Sequence, residues 1–435
     1  MQKLIKKLLI LLIIGILFLP LIQQKYKLIK FKPLNGYYVI NKKPDSLSLK
    51  TWFDESFQKK CSKYLDDNFG FRQPLIRLNN QINYTCFKQT EAKNVVVGKH
   101  DCLYEEGYIL DYTGYNFIGT LYWDDLLRRA KLLQDTLKRA HNIDLIFVFE
   151  PGKASFYPEY IPDRYNPQNK TISNMDYLIA QTKKRGILAL DLNSWFRSIK
   201  STAPYPLYAT YGVHWSTYGM FTAADTLAKF IEQQRHIDMP ELNWEAFPVT
   251  NTLKDVDFDI EATLNLLFEL PHLQMCYPKI SFITKPNKTR PKLLTIGDSY
   301  YWAFISNQIV DSMYSGHQYW YYFTGIWPDI WTPKNISVEL NLQQEIEKQD
   351  VILLSMTELN AFYGYWGFIE AAYDIYYPNQ NHEEYDYIKQ IAMNDIHFKR
   401  HHALALKYHT TVQKIVDAEI HNRKRIQQLL KQFSL

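Results

Sequence analysis

From about residue 122 the chain alternates two hydrophobic rhythms. After Asp124 and Asp125, apolar residues at Leu126, Ala130, Leu133, Leu137 and Ala140 recur at the helical period. The acids at the start and Lys138 and Arg139 near the end suit a helix dipole. Ile143 to Phe149 is apolar at nearly every position, reads as a strand and closes at Glu150-Pro151-Gly152. Ser173 or Asn174 is placed to cap a second helix that stops at Gly186. Ile187 to Leu192 then reads as a strand with Asp191 at its carboxyl end, and residues 216–234 as a helix with Phe221, Ala224, Leu227 and Phe230 inward. Further strands are expected at Leu293 to Ile296, Tyr319 to Phe323 and Val351 to Met356. Near-continuous apolar strands separated by helices predict a three-layer α/β/α domain over residues 91–375, with a parallel sheet of about five strands covered on both faces. Sheets of this kind carry their sites in loops at the carboxyl ends of strands.

Outside that domain the pattern changes. Lys3, Lys6 and Lys7 precede an uncharged apolar run from Leu8 to Ile22, and polar residues resume at Gln23. A positive flank before such a run is an export signal whose lysines stay in the cytoplasm, and no Ala-x-Ala-like cleavage site follows. Residues 1–25 are therefore expected to be a retained signal anchor, single-pass in the inner membrane, with the rest of the chain in the periplasm or an equivalent extracytoplasmic space. Residues 26–90 read as a Lys-rich spacer and a helical segment, and Val95-Val96-Val97-Gly98 as a short buried strand. Residues 235–290 read as an irregular insertion. Residues 376–435 read as a polar helical tail whose His397, His401, His402 and His409 face solvent.

Composition narrows the function classes. Of 435 residues 46% are hydrophobic, enough for a sizeable core, and the net charge is only +5, with no basic stripe carrying interleaved aromatics. Nucleic acid is therefore not an expected partner. The 33 tyrosines offer faces that can stack on sugar rings, as well as ordinary packing. Cys61, Cys86, Cys102 and Cys276 allow three pairings, with Cys61–Cys86 favoured because three of the four precede the alternating core that begins near residue 122. There is no CxxC pair, so no zinc site is expected.

Two loops carry candidate chemistry. Thr295-Ile296-Gly297-Asp298-Ser299-Tyr300 ends an apolar strand in glycine and places a serine where a helix begins, with backbone N–H groups positioned to face a developing oxyanion. Asp298 and Ser299 could equally be helix caps. A serine hydroxyl needs a base to take its proton. Tyr211-Gly212-Val213-His214-Trp215-Ser216-Thr217 supplies a histidine immediately before a helix, the one of twelve in such a context. It could equally be a residue that hydrogen-bonds a helix start.

In this order the two motifs resemble the alginate O-acetyltransferase family of SGNH-hydrolase-like proteins, in which an Asp-x-His-Trp motif precedes Gly-Asp-Ser; ordinary SGNH esterases have the serine block first. Asp67-Asn68-Phe69-Gly70-Phe71-Arg72, Val97-Gly98-Lys99 with Leu103-Tyr104, and Pro151-Gly152-Lys153 with Tyr157-Pro158-Glu159-Tyr160 resemble further segments of that family. The resemblance spans roughly residues 55–360. It implies an SGNH-like fold with permuted motif order and an acyl-Ser299 intermediate, with His214 as base and then acid. It also implies acetyl transfer to an extracytoplasmic polysaccharide, beside a membrane-bound O-acyltransferase partner, without metal or organic cofactor. Trp215 would stack on sugar or pack the loop, and Lys153 would hold a negative sugar group or be a solvated lysine. The family's aspartate is Gly212 here. In serine hydrolases such a loss costs about 10⁴ in rate. Three arrangements follow: another carboxylate such as Asp191 substitutes, a Ser–His dyad is oriented by a backbone carbonyl, or the domain binds glycan without catalysis. A carbohydrate esterase using the same pair, with water as acceptor, is the rival enzyme.

Overall fold

The computed structural model describes residues 2–36, 41–44, 46–329 and 336–378, with isolated positions between 401 and 421. It divides into two compact units: residues 1–97 with 259–271, and residues 98–258 with 272–435.

The first unit begins with helix α1 (Gln2–Tyr26). Leu4–Tyr26 has a mean hydropathy of 2.6 over its apolar stretch, none of which is buried, and is long and apolar enough to cross a membrane. Shorter helices, Leu49–Phe53, Ser56–Asn68 and Arg72–Phe87, follow where the sequence places a helical segment.

The second unit is built on a six-stranded sheet. Its strands are β1 (Asp144–Phe149), β2 (Ala189–Asp191), β3 (Lys292–Gly297), β4 (Gly316–Tyr321), β5 (Gly325–Trp327) and β6 (Val351–Met356), in the order β5-β4-β3-β6-β1-β2. The five strands from β4 to β2 pair in parallel, and β5 adds an antiparallel edge that the sequence reading did not include. Leu145, Phe147, Leu294, Ile352 and Leu354 join one core with α2 (Thr120–His141), α3 (Asn174–Arg185) and the helix Phe368–Tyr376. Ile146, Val148, Leu293 and Leu353, which alternate with them, are equally buried, so both sheet faces are covered. This is a three-layer α/β/α fold.

Helix ends follow the chemistry of their caps. Ser173 Oγ accepts from Asp176 N at 3.0 Å, and α3 ends at Gly186 with φ +61°. Ser216 Oγ accepts from Gly219 N at 3.0 Å and opens α4 (Thr217–Arg235). Helix α2 begins at Thr120, four residues before the expected acids; Asp125 instead pairs with Arg128 at 2.7 Å and Arg129 at 3.0 Å. Leu126, Ala130, Leu133 and Leu137 are buried as expected, whereas Ala140 at the helix end is exposed. The stretch read as irregular contains Glu241–Ala246 paired antiparallel with Lys279–Ile283, and Val249–Thr250 paired with Met275–Cys276.

Two further expectations change. All four cysteines are free, so Cys61 and Cys86 are not bridged. The tail over 376–435 lies largely outside the described residues. His401 is described, however, and it is buried 2.6 Å from Glu419 rather than facing solvent.

Candidate active site

The apolar strand β3 ends at Gly297, and Ser299 opens a single 3-10 turn, Ser299–Tyr301. This turn is fixed by Asp298, which is fully buried. Its Oδ1 accepts from Tyr300 N at 3.2 Å. Its Oδ2 accepts from Thr357 N, Thr357 Oγ1 and Asn360 Nδ2, each at 2.8 Å. The carboxylate thus ties the end of β3 to the end of β6, where charge-assisted hydrogen bonds are strong because water is absent. Tyr319 OH donates to Asp298 O at 2.5 Å and closes the third side.

More carboxyls lie below this turn. Ser355 Oγ donates to Glu150 Oε1 at 2.7 Å. Burial, and then the neighbouring Asp298 charge, push the Glu150 carboxyl well above the usual range. Glu358 accepts from Ser155 N at 3.1 Å, and burial pushes it up to about 7. A Cβ on Gly152 would fall 2.1 Å from Glu358 Oε1, which accounts for the glycine in Pro151-Gly152-Lys153.

The histidine loop is held by a different means. Tyr208 and Trp215 pair in an antiparallel bridge, and Ser216 N donates to Leu207 O at 2.8 Å, closing a tight loop around residues 209–214. Lys153 Nζ donates to Thr210 O at 2.7 Å and Gly212 O at 2.5 Å. Tyr300 OH donates to Val213 O at 2.6 Å, so the residue after Ser299 grips the one before His214. The two loops meet with His214 Nε2 3.0 Å from Ser299 Oγ. Both residues are partly exposed, whereas their neighbours Trp215, Tyr300 and Asp298 are buried. With Nδ1 carrying the ring proton, Nε2 accepts from the serine hydroxyl, which is the geometry a general base requires.

The structure corrects the readings of Lys153 and Asp191 and decides between the two given for Trp215. Lys153 is neither solvated nor open to a sugar: it is fully buried and spends its ammonium on loop carbonyls. Trp215 is also fully buried, stacked on Phe304 at 5.4 Å and packed on Tyr300 at 5.2 Å, so it supports the loop rather than a ligand. Asp191 Oδ1 accepts from Ser194 N at 2.8 Å and caps the helix Leu192–Ile199. It ends β2, three strands from β3 and so about 14 Å across the sheet from the nucleophile's strand. Its role is that of a helix cap.

Gly212 has its own physical reason. A Cβ there would sit 2.3 Å from Val256 O and 3.0 Å from the Asp257 carbonyl, so the turn at Asp255–Phe258 occupies the space where an aspartate side chain would begin. Asp257 itself is fully buried, and after burial its charge is the leading cause of the raised Tyr277 hydroxyl pKa. Among the described residues, no three His, Cys, Asp or Glu side chains converge as metal ligands would.

A parallel α/β sheet thus carries a serine at the carboxyl end of a strand and a histidine on a loop that meets it. Residues 95–258 match the family model for the SGNH hydrolase-like domain of acetyltransferase AlgX. His214, Gly212 and Lys153 fall inside the match, whereas Ser299 lies beyond it. Among solved structures, Pseudomonas aeruginosa AlgX is similar at 14% identity and a TM-score of 0.41, over 60% of this chain and 61% of that one. The O-acetyltransferase domain of Pseudomonas putida AlgJ is similar at 17% and 0.39, over 69% of this chain and 98% of that one. Bacillus cereus PatB1 is similar at 12% and 0.35, over 55% and 90%. No curated protein matches the chain.

Proposed function

We propose that this chain is an O-acetyltransferase that acts on an extracytoplasmic polysaccharide through an acyl-Ser299 intermediate. The observation that carries the reading is the 3.0 Å approach of His214 Nε2 to Ser299 Oγ. In the first half-reaction His214 takes the hydroxyl proton as Ser299 Oγ attacks the acyl carbonyl carbon. The tetrahedral centre collapses, the donor's leaving group departs with the proton from His214, and an ester on Ser299 remains. In the second half-reaction His214 takes the proton of a sugar hydroxyl as that oxygen attacks the ester. The serine then leaves with that proton, and the sugar carries the acetyl group.

The carbonyl clamp from Lys153 and Tyr300 supports a Ser–His pair oriented through main chain, in place of a carboxylate at residue 212. Helix α1 supports attachment to the inner membrane with the second unit outside the cytoplasm, where a membrane-bound O-acyltransferase would deliver acetyl groups. The domain organisation that goes with this reading is an anchor over 1–25, a spacer over 26–90, a catalytic domain over 91–375 and a tail over 376–435.

Gly212 favours a second reading, in which the domain binds glycan without catalysis. Release of acetate from a chromogenic acetate ester separates the two. The transferase reading expects turnover that Ser299→Ala abolishes; equal rates in wild type and Ser299→Ala refute it. Adding an oligosaccharide then distinguishes transfer from hydrolysis by an esterase.

A further inference from the structure

We propose that Trp302, Tyr321, Tyr322 and Trp366 form a stacking platform for a sugar ring of the acceptor glycan, beside Ser299; this rests on the transferase reading above. The placement comes from the sheet. Tyr321 is opposite Gly297 in the β4–β3 register, and Tyr322 N donates to Gly297 O at 3.0 Å, two residues before the nucleophile. Trp302 follows Ser299 by three residues, with its ring 5.6 Å from Tyr321. Tyr321 and Tyr322 stack at 4.1 Å, and Tyr322 lies 5.1 Å from Trp366, which arrives from the loop after β6.

Two features set this cluster apart from core aromatics. All four rings are partly exposed, whereas Tyr319, Trp320 and Tyr365, their neighbours in sequence, are fully buried. The backbone beneath them is also strained. Tyr322 and Phe323 have φ of +53° and +52°, and Tyr365 and Trp366 have +58° and +55°. Bulky L-residues rarely occupy that region, and such strain persists only where the surrounding fold imposes it, commonly at binding sites. Two separate loops thus accept the same unfavourable conformation to bring rings to one place on the sheet's carboxyl edge.

The chemistry of the neighbourhood suits a sugar better than an apolar ligand. Each tyrosine carries a hydroxyl and each tryptophan an indole N–H at the rim of its ring, so hydrogen-bonding groups sit beside the apolar faces. A pyranose presents C–H groups to a ring face and hydroxyls at its rim, and it must lie next to Ser299 for one hydroxyl to attack an acyl ester there.

The test uses the full chain in detergent, carrying Ser299→Ala so that no chemistry intervenes, titrated with cellohexaose, chitohexaose and a hexamannuronate. At least one should bind, and Trp366→Ala and Tyr322→Ala should each weaken it about tenfold or more. Trp366→Phe, which keeps a ring, should restore most of the affinity and so separates stacking from misfolding. Absence of binding by all three sugars overturns the platform. So does equal affinity in the alanine variants, or Trp366→Phe binding as weakly as Trp366→Ala. Failure of the transferase reading appears separately, in the ester assay with Ser299 intact.

Discussion

The nucleophile turn and the histidine loop solve one problem, holding a reactive side chain still, with opposite chemistry. Around Ser299 an ionisable side chain does the holding: buried Asp298 gathers four hydrogen bonds from Tyr300, Thr357 and Asn360. Around His214 the main chain is what is held, and its carbonyls at residues 210, 212 and 213 are gripped by Lys153 and Tyr300. A side-chain anchor leaves a recognisable residue in the motif. A main-chain anchor leaves none, so Gly212 can stand where the family has aspartate without the loop losing its shape.

The largest expected effect comes from removing the side-chain anchor. Asp298→Ala takes the acceptor from Thr357 N and leaves Asn360 Nδ2 only a long bond to Thr357 Oγ1, and should lower unfolding free energy by about 3–5 kcal/mol and abolish ester turnover. Denaturant melts with a parallel activity assay check both. Breaking the other anchor is the matching experiment. Lys153→Met keeps the volume but takes the ammonium from Gly212 O and leaves Thr210 O only its bond from Leu103 N, so a loss of about 2–4 kcal/mol is expected, together with a fall in kcat. A melt indistinguishable from wild type would mean that the clamp holds nothing.

The buried carboxyls add a pH signature. For Glu358 the folded-state pKa is about 7 against an ordinary 4.5, raised by burial. Between those values the native state keeps a proton that the unfolded chain has released, so stability falls as pH rises from about 4.5 to 7 and then levels off. Glu358→Gln keeps an acceptor for Ser155 N and removes that cost. It should stabilise by about 2–3 kcal/mol at pH 8, with the gain fading to nothing near pH 4.5. Urea titrations at the two pH values read this directly. The smallest effect belongs to Gly212→Asp. Restoring the family's aspartate should destabilise by about 1–3 kcal/mol and leave activity no higher, because its Cβ meets the backbone at Val256. A gain in rate would show that the Asp255–Phe258 turn can move aside.

The sheet was legible because its strands are continuous runs: every side chain in Asp144–Phe149 and Val351–Met356 is buried, and only apolar or hydrogen-bonded residues survive there. The edge strand Gly325–Trp327 was not, since three residues carry no period. The paired segments within 235–290 are short and interrupted by turns, so alternation never builds up. At the site, Ser299 and His214 sit in local motifs and could be read from them. Lys153 could not: its partners Thr210 and Gly212 are far along the chain, and a lysine in a loop gives no sign that it is buried. For the same reason Trp215 stayed open between sugar stacking and loop packing, since an aromatic beside a histidine reads alike whether it faces sugar or Phe304. Gly212 owes its identity to Val256, a contact that spacing does not encode.

The most direct test of the Ser299–His214 pair is intact-protein mass spectrometry after brief exposure to the chromogenic acetate ester. One added acetyl group, mapped to Ser299, is expected in wild type, and none in His214→Ala or Ser299→Ala. An acetyl group that forms equally in His214→Ala, or that maps to another residue, would contradict it.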